Sequence, residues 1–428
     1  MNGRPMFVGR HSSPIPGILL VLAIPVLFAV GIGIRLWVWP ARGLAGDIDQ
    51  FVLWVHGIAV NGWQNAYDQN LSFPAVMAWV WGALAWAEPA FRTVTDASDP
   101  AIGALMKVPA SLADIAIAVA VGWWFRDRAW AAVAAMAAVL LWPVTWYVSA
   151  WWGQYESLYV LPAVLALLAA RGGHALVAAA LLTVAMMTNA DAIPLVVPFA
   201  AWVIAVAGAR GALRALVAGV AVGLVAWAPF VASGGPAAYI GNATGAAGGP
   251  GAEVSTGGWN PWWIIGSLGG DGTSVLASTA AVGPVTFAHV GFALMAVVVV
   301  AVFIGVARRP SGQGLALGMA AMALGGAVVR TGMAPTAAYA AFVFLLMAAN
   351  GRVLAIVWAA FAIAYAANLV FAAPPPAISM PDERIVGLIG SGAITLAAVL
   401  TLLWMGSADR RDADDGGQPL HSLWPTMG

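Results

Sequence analysis

The chain has no cysteine, a single lysine (Lys107), and charged residues at only 8% of its 428 positions. Without cysteine there are no disulfides, no thiolate metal sites and no cysteine nucleophile. So low a charged fraction, against roughly 25% in soluble domains, excludes an ordinary water-soluble fold. Eighteen basic and eighteen acidic residues cancel, which removes any electrostatic case for nucleic acid. His56 and His289 stand alone, so no histidine metal site is expected. The sequence also lacks a Walker lysine motif, a His-Glu-x-x-His pair, a Gly-x-Ser-x-Gly elbow and any repeat of fixed period.

What is present is apolar. With 62% hydrophobic residues and a mean hydropathy of +0.88, the expected class is an all-α polytopic membrane protein. Arg4, Arg10 and His11 precede an apolar run from Gly17 to Trp39. The run is too long for a signal h-region and has no small-residue cleavage site, so it reads as an uncleaved first span. Spans of about 20 residues are expected near 17–39, 101–124, 129–149, 155–170, 174–190, 192–209, 212–232, 284–307, 314–331, 335–349, 352–372 and 386–406.

The apolar run at 74–91 is ambiguous, and arginine placement decides it. If 74–91 does not cross, twelve of the eighteen basic residues fall in inside loops: Arg4, Arg10, Arg126, Arg128, Arg171, Arg210, Arg214, Arg308, Arg309, Arg352, Arg410 and Arg411. Letting it cross puts most of them outside, against the positive-inside rule. About twelve spans with both termini in the cytoplasm are therefore expected in a cell membrane. Residues 1–406 read as one membrane domain, 40–100 and 233–283 as long outer loops, and 407–428 as a disordered cytoplasmic tail.

Within 40–100 two surface helices are expected, at 47–62 and 74–88. The first has Asp47 and Asp49 at its start and apolar residues at Phe51, Val52, Trp54, Val55, Ile58 and Ala59, one side of a 3.6-residue period, with Gly62 as its stop. A capping Asp beside an incidental second acid is the competing reading. Trp151-Trp152-Gly153-Gln154-Tyr155-Glu156-Ser157 sets Gln154 and Glu156 among indoles, a composition suited to sugar hydroxyls; an interfacial aromatic belt accounts for the tryptophans but not for the polar pair. Asp191, after Thr188-Asn189, is either a cap or a site carboxylate. Asn260 lies in the aromatic loop Trp259-Asn260-Pro261-Trp262, and Arg330 precedes Thr331-Gly332-Met333. Arg330 and Lys107 are candidate anion partners. Asp114, two turns beyond Lys107, is an intramembrane carboxylate that needs a partner or a proton.

Taken together, these stretches resemble the GT-C superfamily of membrane glycosyltransferases, in particular bacterial relatives of the GPI mannosyltransferases and the polyprenol-phosphate-mannose-dependent mannosyltransferases of actinobacteria. The likeness is carried by Gly46-Asp47-Ile48 with Gly62 and Tyr67, Ser72-Phe73-Pro74, Lys107 with Asp114, Trp152-Gly153-Gln154-Tyr155-Glu156-Ser157 (Glu where the family has Asp), and Trp259-Asn260-Pro261-Trp262. It implies transfer of a sugar, mannose above others, from a polyprenyl-phosphate donor to a lipid or glycan acceptor at the outer face. Asp47 would be the general base, and Asp49 its support or the ligand of a divalent cation; no other cofactor is implied. Donor and acceptor would be held by Arg330, Lys107, Arg35, Gln154, Glu156, Trp152, Asp191 and Asn260.

Two positions depart from the family. Asn189 stands where relatives carry Lys, and Ala334-Pro335-Thr336 where they carry a His-Glu-Arg-Tyr cluster. The donor phosphate would then fall to Arg330, Lys107 or Arg35. A non-catalytic relative with the same scaffold is the main alternative. A transporter or flippase, coupled through Asp114 and Glu156, is another, although inverted repeats and broken midplane helices are not seen in the sequence.

Overall fold

The computed structural model describes residues 17–246, 253–268, 275–376 and 378–407. Arg4, Arg10, Asp271 and the expected tail after 407 lie outside the described residues. A long apolar run must satisfy its own backbone hydrogen bonds, which a helix does within one segment. The chain accordingly folds as α1 (Gly17–Val38), α2 (Ala45–Asn61), α3 (Ala75–Ala87), α4 (Pro100–Trp124), α5 (Ala129–Leu141), α6 (Pro143–Trp146), a π-helical segment (Tyr147–Trp152), α7 (Glu156–Arg171), α8 (Ala175–Thr188), α9 (Val196–Trp227), α10 (Gly235–Ala246), α11 (Pro261–Leu268), α12 (Phe287–Arg308), α13 (Gly312–Val329), α14 (Tyr339–Ala348), α15 (Arg352–Ala372) and α16 (Glu383–Ser407). One small antiparallel pair, β1 (Ala280–Val282) and β2 (Val285–Thr286), departs from the all-helical expectation.

Seven helical stretches among the described residues are long and apolar enough to cross a membrane: Pro100–Trp124, Ala129–Trp152, Ala190–Phe230, Phe287–Arg308, Gly312–Val329, Arg352–Ala372 and Glu383–Gly406. The difference from twelve has physical reasons. Helix α7 is 16 residues long, and two further apolar helices, Ala175–Thr188 and Pro335–Ala348, are also shorter than a full span, whereas α1, at Gly17–Val38, has 22 residues. The stretch 190–230 holds two of the expected spans. Its 41 residues would extend about 60 Å as one helix, twice a hydrocarbon core. Gly208 breaks it with φ 64° and ψ −172°. Phe199 and Val203 before the break line the same groove as Ala212 and Leu216 after it, so the second half folds back along the first.

The core is centred on α13 and α14. Helix α14 is apolar on every side, and all ten of its residues are buried. A second, aromatic core forms where the 40–100 segment packs: Phe51, Trp54, Phe73, Trp81 and Tyr155 meet with ring centroids 5.2–6.1 Å apart. Helix α2 buries Ile48, Phe51, Val52, Trp54, Val55 and Ile58, leaves Leu53 and Val60 exposed, and ends at Gly62 with φ 87°. Helix α3 turns Met77, Ala78, Trp81 and Leu84 inward, and Trp79 Nε1 donates to the Ala226 carbonyl at 3.0 Å.

The arginine asymmetry makes a testable topology. Ala97 is buried and its N–H donates to Asp49, so the exposed Ser98 beside it is the better probe. A Ser98→Cys protein in cells is expected to react with an impermeant maleimide, whereas Gly172→Cys reacts only after permeabilisation. Equal labelling of both before permeabilisation would remove the assignment of 40–100 to the outer side.

Candidate functional site

Helix α2 starts from Leu44, and no side chain caps it. Asp47 is therefore free to face away from its own helix. Its Oδ2 accepts from Trp152 Nε1 at 2.8 Å and from Gln154 Nε2 at 2.7 Å. Among the described residues Oδ1 accepts no side-chain hydrogen bond, and the residue is partly exposed. An acid in the first turn is also favoured by the helix dipole.

Two glycines bring these segments together. Gly43 (φ 67°) lies where a Cβ would be 2.6 Å from the Trp151 carbonyl oxygen and 2.7 Å from that of Trp152. Gly153 (φ 90°) follows the π-helical segment and packs against Ile48, to whose Cδ1 a Cβ would be 3.2 Å. Both need the left-handed conformation that glycine adopts readily. Lys107 is buried beneath the same junction, its Nζ donating to the carbonyls of Trp39 (3.2 Å) and Ala41. It holds the turn leading into α2.

Asp49 works elsewhere. Its Oδ2 pairs with Arg42 at 2.8 Å and its Oδ1 accepts the Ala97 N–H at 2.8 Å. Two residues apart on a helix means about 200° of rotation, so Asp47 and Asp49 serve different partners and form no joint carboxylate pair. Among the described residues, no group of three or more His, Asp or Glu is placed to hold a metal ion.

Around Asp47 the other expected residues fall into two groups. Glu156, at the start of α7, is 6% exposed, with Oε2 lacking a hydrogen-bond partner among the described residues. Asp47 and Asp191 are both close enough to act on it electrostatically. Asn189 caps the short 3-10 turn Ala190–Leu195 that leads into α9, its Oδ1 accepting the Asp191 N–H at 3.0 Å, and the Asp191 carboxylate instead meets Arg330 at 3.7 Å. Arg330 is 40% and Asp191 35% exposed. Asp47, Trp152, Gln154, Glu156, Asp191 and Arg330 thus gather where α2, α5–α6, α7, α8 and α13 begin or end.

The second group is scaffold. Asn260 Nδ2 donates to the Ala327 carbonyl at 3.1 Å and Oδ1 accepts the Trp263 N–H at 3.0 Å, stapling the aromatic loop to α13. Arg35, 1% exposed, pairs with Asp114 Oδ2 at 3.0 Å and donates to the carbonyls of Gly31 and Leu140, each at 3.0 Å. Ser149 also donates to Asp114 Oδ2, and Tyr339 to Oδ1. No sequence spacing ties Ser149 or Tyr339 to Asp114, for which the sequence shows only the need of a partner. Tyr67 is buried and donates to the Phe73 carbonyl at 3.2 Å; burial, with Tyr239 nearby, pushes its hydroxyl well above the ordinary value, so it stays neutral.

Fold and site together define a mainly helical polytopic membrane protein with a carboxylate-centred cluster where several helices end. No protein-family model matches the chain, and no curated protein matches it.

Proposed function

We propose that the protein is a GT-C-like glycosyltransferase. It moves a sugar, mannose on the resemblance, from a polyprenyl-phosphate donor to a lipid or glycan acceptor at the outer face, with Asp47 as general base. One observation carries the reading: two donors, Trp152 and Gln154, hold one oxygen of Asp47 and, among the described residues, no side chain donates to the other. A base must be fixed in direction yet have a lone pair to spare, and this carboxylate meets both conditions. The phosphate leaving group needs no strong acid, but it needs a cation for its growing charge. A lone base with no evident nucleophile implies inversion at the sugar.

Among the three expected cations, Lys107 and Arg35 are spent on internal carbonyls and Asp114. Arg330 alone is substantially exposed, so the donor phosphate is assigned to it. In a transfer assay with purified protein and a polyprenyl-phosphate sugar, Arg330→Ala is expected to raise the donor KM by about tenfold, about 1.4 kcal/mol. Arg330→Lys should recover part of the loss, since lysine lacks the two-pronged fork. An unchanged donor KM in both would remove Arg330 from the site.

The engagement of Lys107 and Arg35 also favours a second reading, a non-catalytic GT-C-like protein. Absence of transfer by the intact protein with any polyprenyl-phosphate sugar, together with no donor binding, would make that the better description.

A further inference from the structure

A different cluster lies on the turn joining α4 to α5. Both helices belong to stretches of membrane-crossing length, so this turn sits at a membrane–water boundary. Arg126 and Arg128 are exposed on it, and Arg171 reaches it from the end of α7. Each guanidinium is laid over an aromatic ring of the same few residues. Arg126 Cζ is 5.0 Å from the Trp123 ring centre, Arg128 5.5 Å from Phe125, and Arg171 4.6 Å from Trp124. Arg171 Nη1 also donates to the Trp124 carbonyl at 2.5 Å. Rings and carbonyl together restrict side chains that would otherwise be free.

The charges do not balance. Arg126, Arg128 and Asp127 all act electrostatically on Arg171. The only carboxylate among these groups is Asp127, 3.9 Å from Arg126 and 3.5 Å from Arg171 and itself 71% exposed. Arg128 has no carboxylate partner among the described residues. Three guanidiniums with one carboxylate leave a net charge of +2 at close range. Orienting the protein in a membrane needs positive charge but no fixed arrangement of it. Arg210 and Arg214 show the contrast: among the described residues neither makes a side-chain hydrogen bond, ion pair or ring contact. Trp123 and Trp130, 60% and 48% exposed, flank the turn with rings suited to the headgroup level.

We infer that Arg126, Arg128 and Arg171 form a binding site for a phosphate group, carried by an anionic membrane lipid or supplied as the free ion. Guanidinium forks match phosphate oxygens, and a bound anion relieves the repulsion among the three. The inference does not rest on the transferase reading.

The test uses the intact chain in dodecyl maltoside, with binding followed by native mass spectrometry and melting. The added probes are dioleoylphosphatidylglycerol, dioleoylphosphatidylcholine and inorganic phosphate. Phosphatidylglycerol is expected to bind and raise the melting temperature more than phosphatidylcholine does. R126Q/R128Q should weaken that binding by about tenfold or more, on the scale of two arginines at an anionic surface, while R210Q/R214Q leaves it unchanged. Stronger binding of the lipid than of inorganic phosphate identifies a headgroup site; equal binding identifies a free-phosphate site. Both substituted positions are exposed, and melting in phosphatidylcholine alone checks that the fold is kept. If the double variant does not fold, R128Q alone serves, because among the described residues the Arg128 side chain makes no internal hydrogen bond. Equal weakening by the two double variants, or no response to either phosphate probe, overturns the inference.

Discussion

Asp47→Asn is expected to abolish sugar transfer while leaving the protein folded. Asparagine keeps the size of the side chain and can still present one oxygen to Trp152 Nε1 and Gln154 Nε2, which now donate to Asp47 Oδ2 at 2.8 and 2.7 Å. What is lost is the basic lone pair. Removing a general base costs roughly 10²–10⁴-fold in rate, whereas losing a charge in the first turn of a helix costs about 0.3–1 kcal/mol of stability. The measurement is turnover with a polyprenyl-phosphate sugar donor, paired with melting of the same preparation. Turnover near that of the unsubstituted protein would remove Asp47 from the chemistry. Asp49→Asn is the matched comparison. Its carboxylate holds Arg42 and the Ala97 N–H rather than the Asp47 cluster, so turnover should fall far less.

The second large effect is on stability. Asp114→Leu strands Arg35, a guanidinium 1% exposed, without its ion-pair partner. It also leaves the hydroxyls of Ser149 and Tyr339 without the acceptor they now share. Breaking a buried pair from one side costs about 3–5 kcal/mol, because the remaining charge is uncompensated. The double variant Arg35→Met/Asp114→Leu removes both charges and should recover most of the loss. Thermal melts of the two single variants and the double in the same detergent decide the matter. If Asp114→Leu melts with the unsubstituted protein, the pair is not a structural tie. If the double is no better than the worse single, the cost lies in packing rather than charge.

Much of the helical layout was readable because hydrophobic period and span length are local properties. The helix expected at 47–62 and stopped by Gly62 is α2, at Ala45–Asn61, and the second expected helix, at 74–88, is α3, at Ala75–Ala87. Pairings between distant segments were not readable in the same way. Arg35 lies 79 residues from Asp114, and no spacing rule joins them. For the same reason Arg35 and Lys107 looked like free cations, although both are turned inward. Asn260 and Asp49 had the composition of site residues, but each is occupied in fastening one backbone segment to another. Composition separates lipid-facing from core-facing helices poorly, since both are apolar. Helix α14 reads like any other span, yet it is buried on every side.

The segment Tyr147–Trp152 is wound as a π-helix, with the Gly153 N–H returning to the Val148 carbonyl at 3.1 Å. Such a turn accommodates one residue more than an α-helical turn would. In this protein that additional residue sets the angle at which the indole of Trp152 and the amide of Gln154 leave the helix axis. The stretch already holds one residue beyond α-helical winding, so inserting another between Pro143 and Gly153 would rotate the residues beyond the insertion by about 100°. Side chains in this stretch can be exchanged one at a time with graded effects. Its length cannot grow, because the donors that orient Asp47 would swing to another side of the axis, so across related chains this stretch should vary in composition but gain no residue.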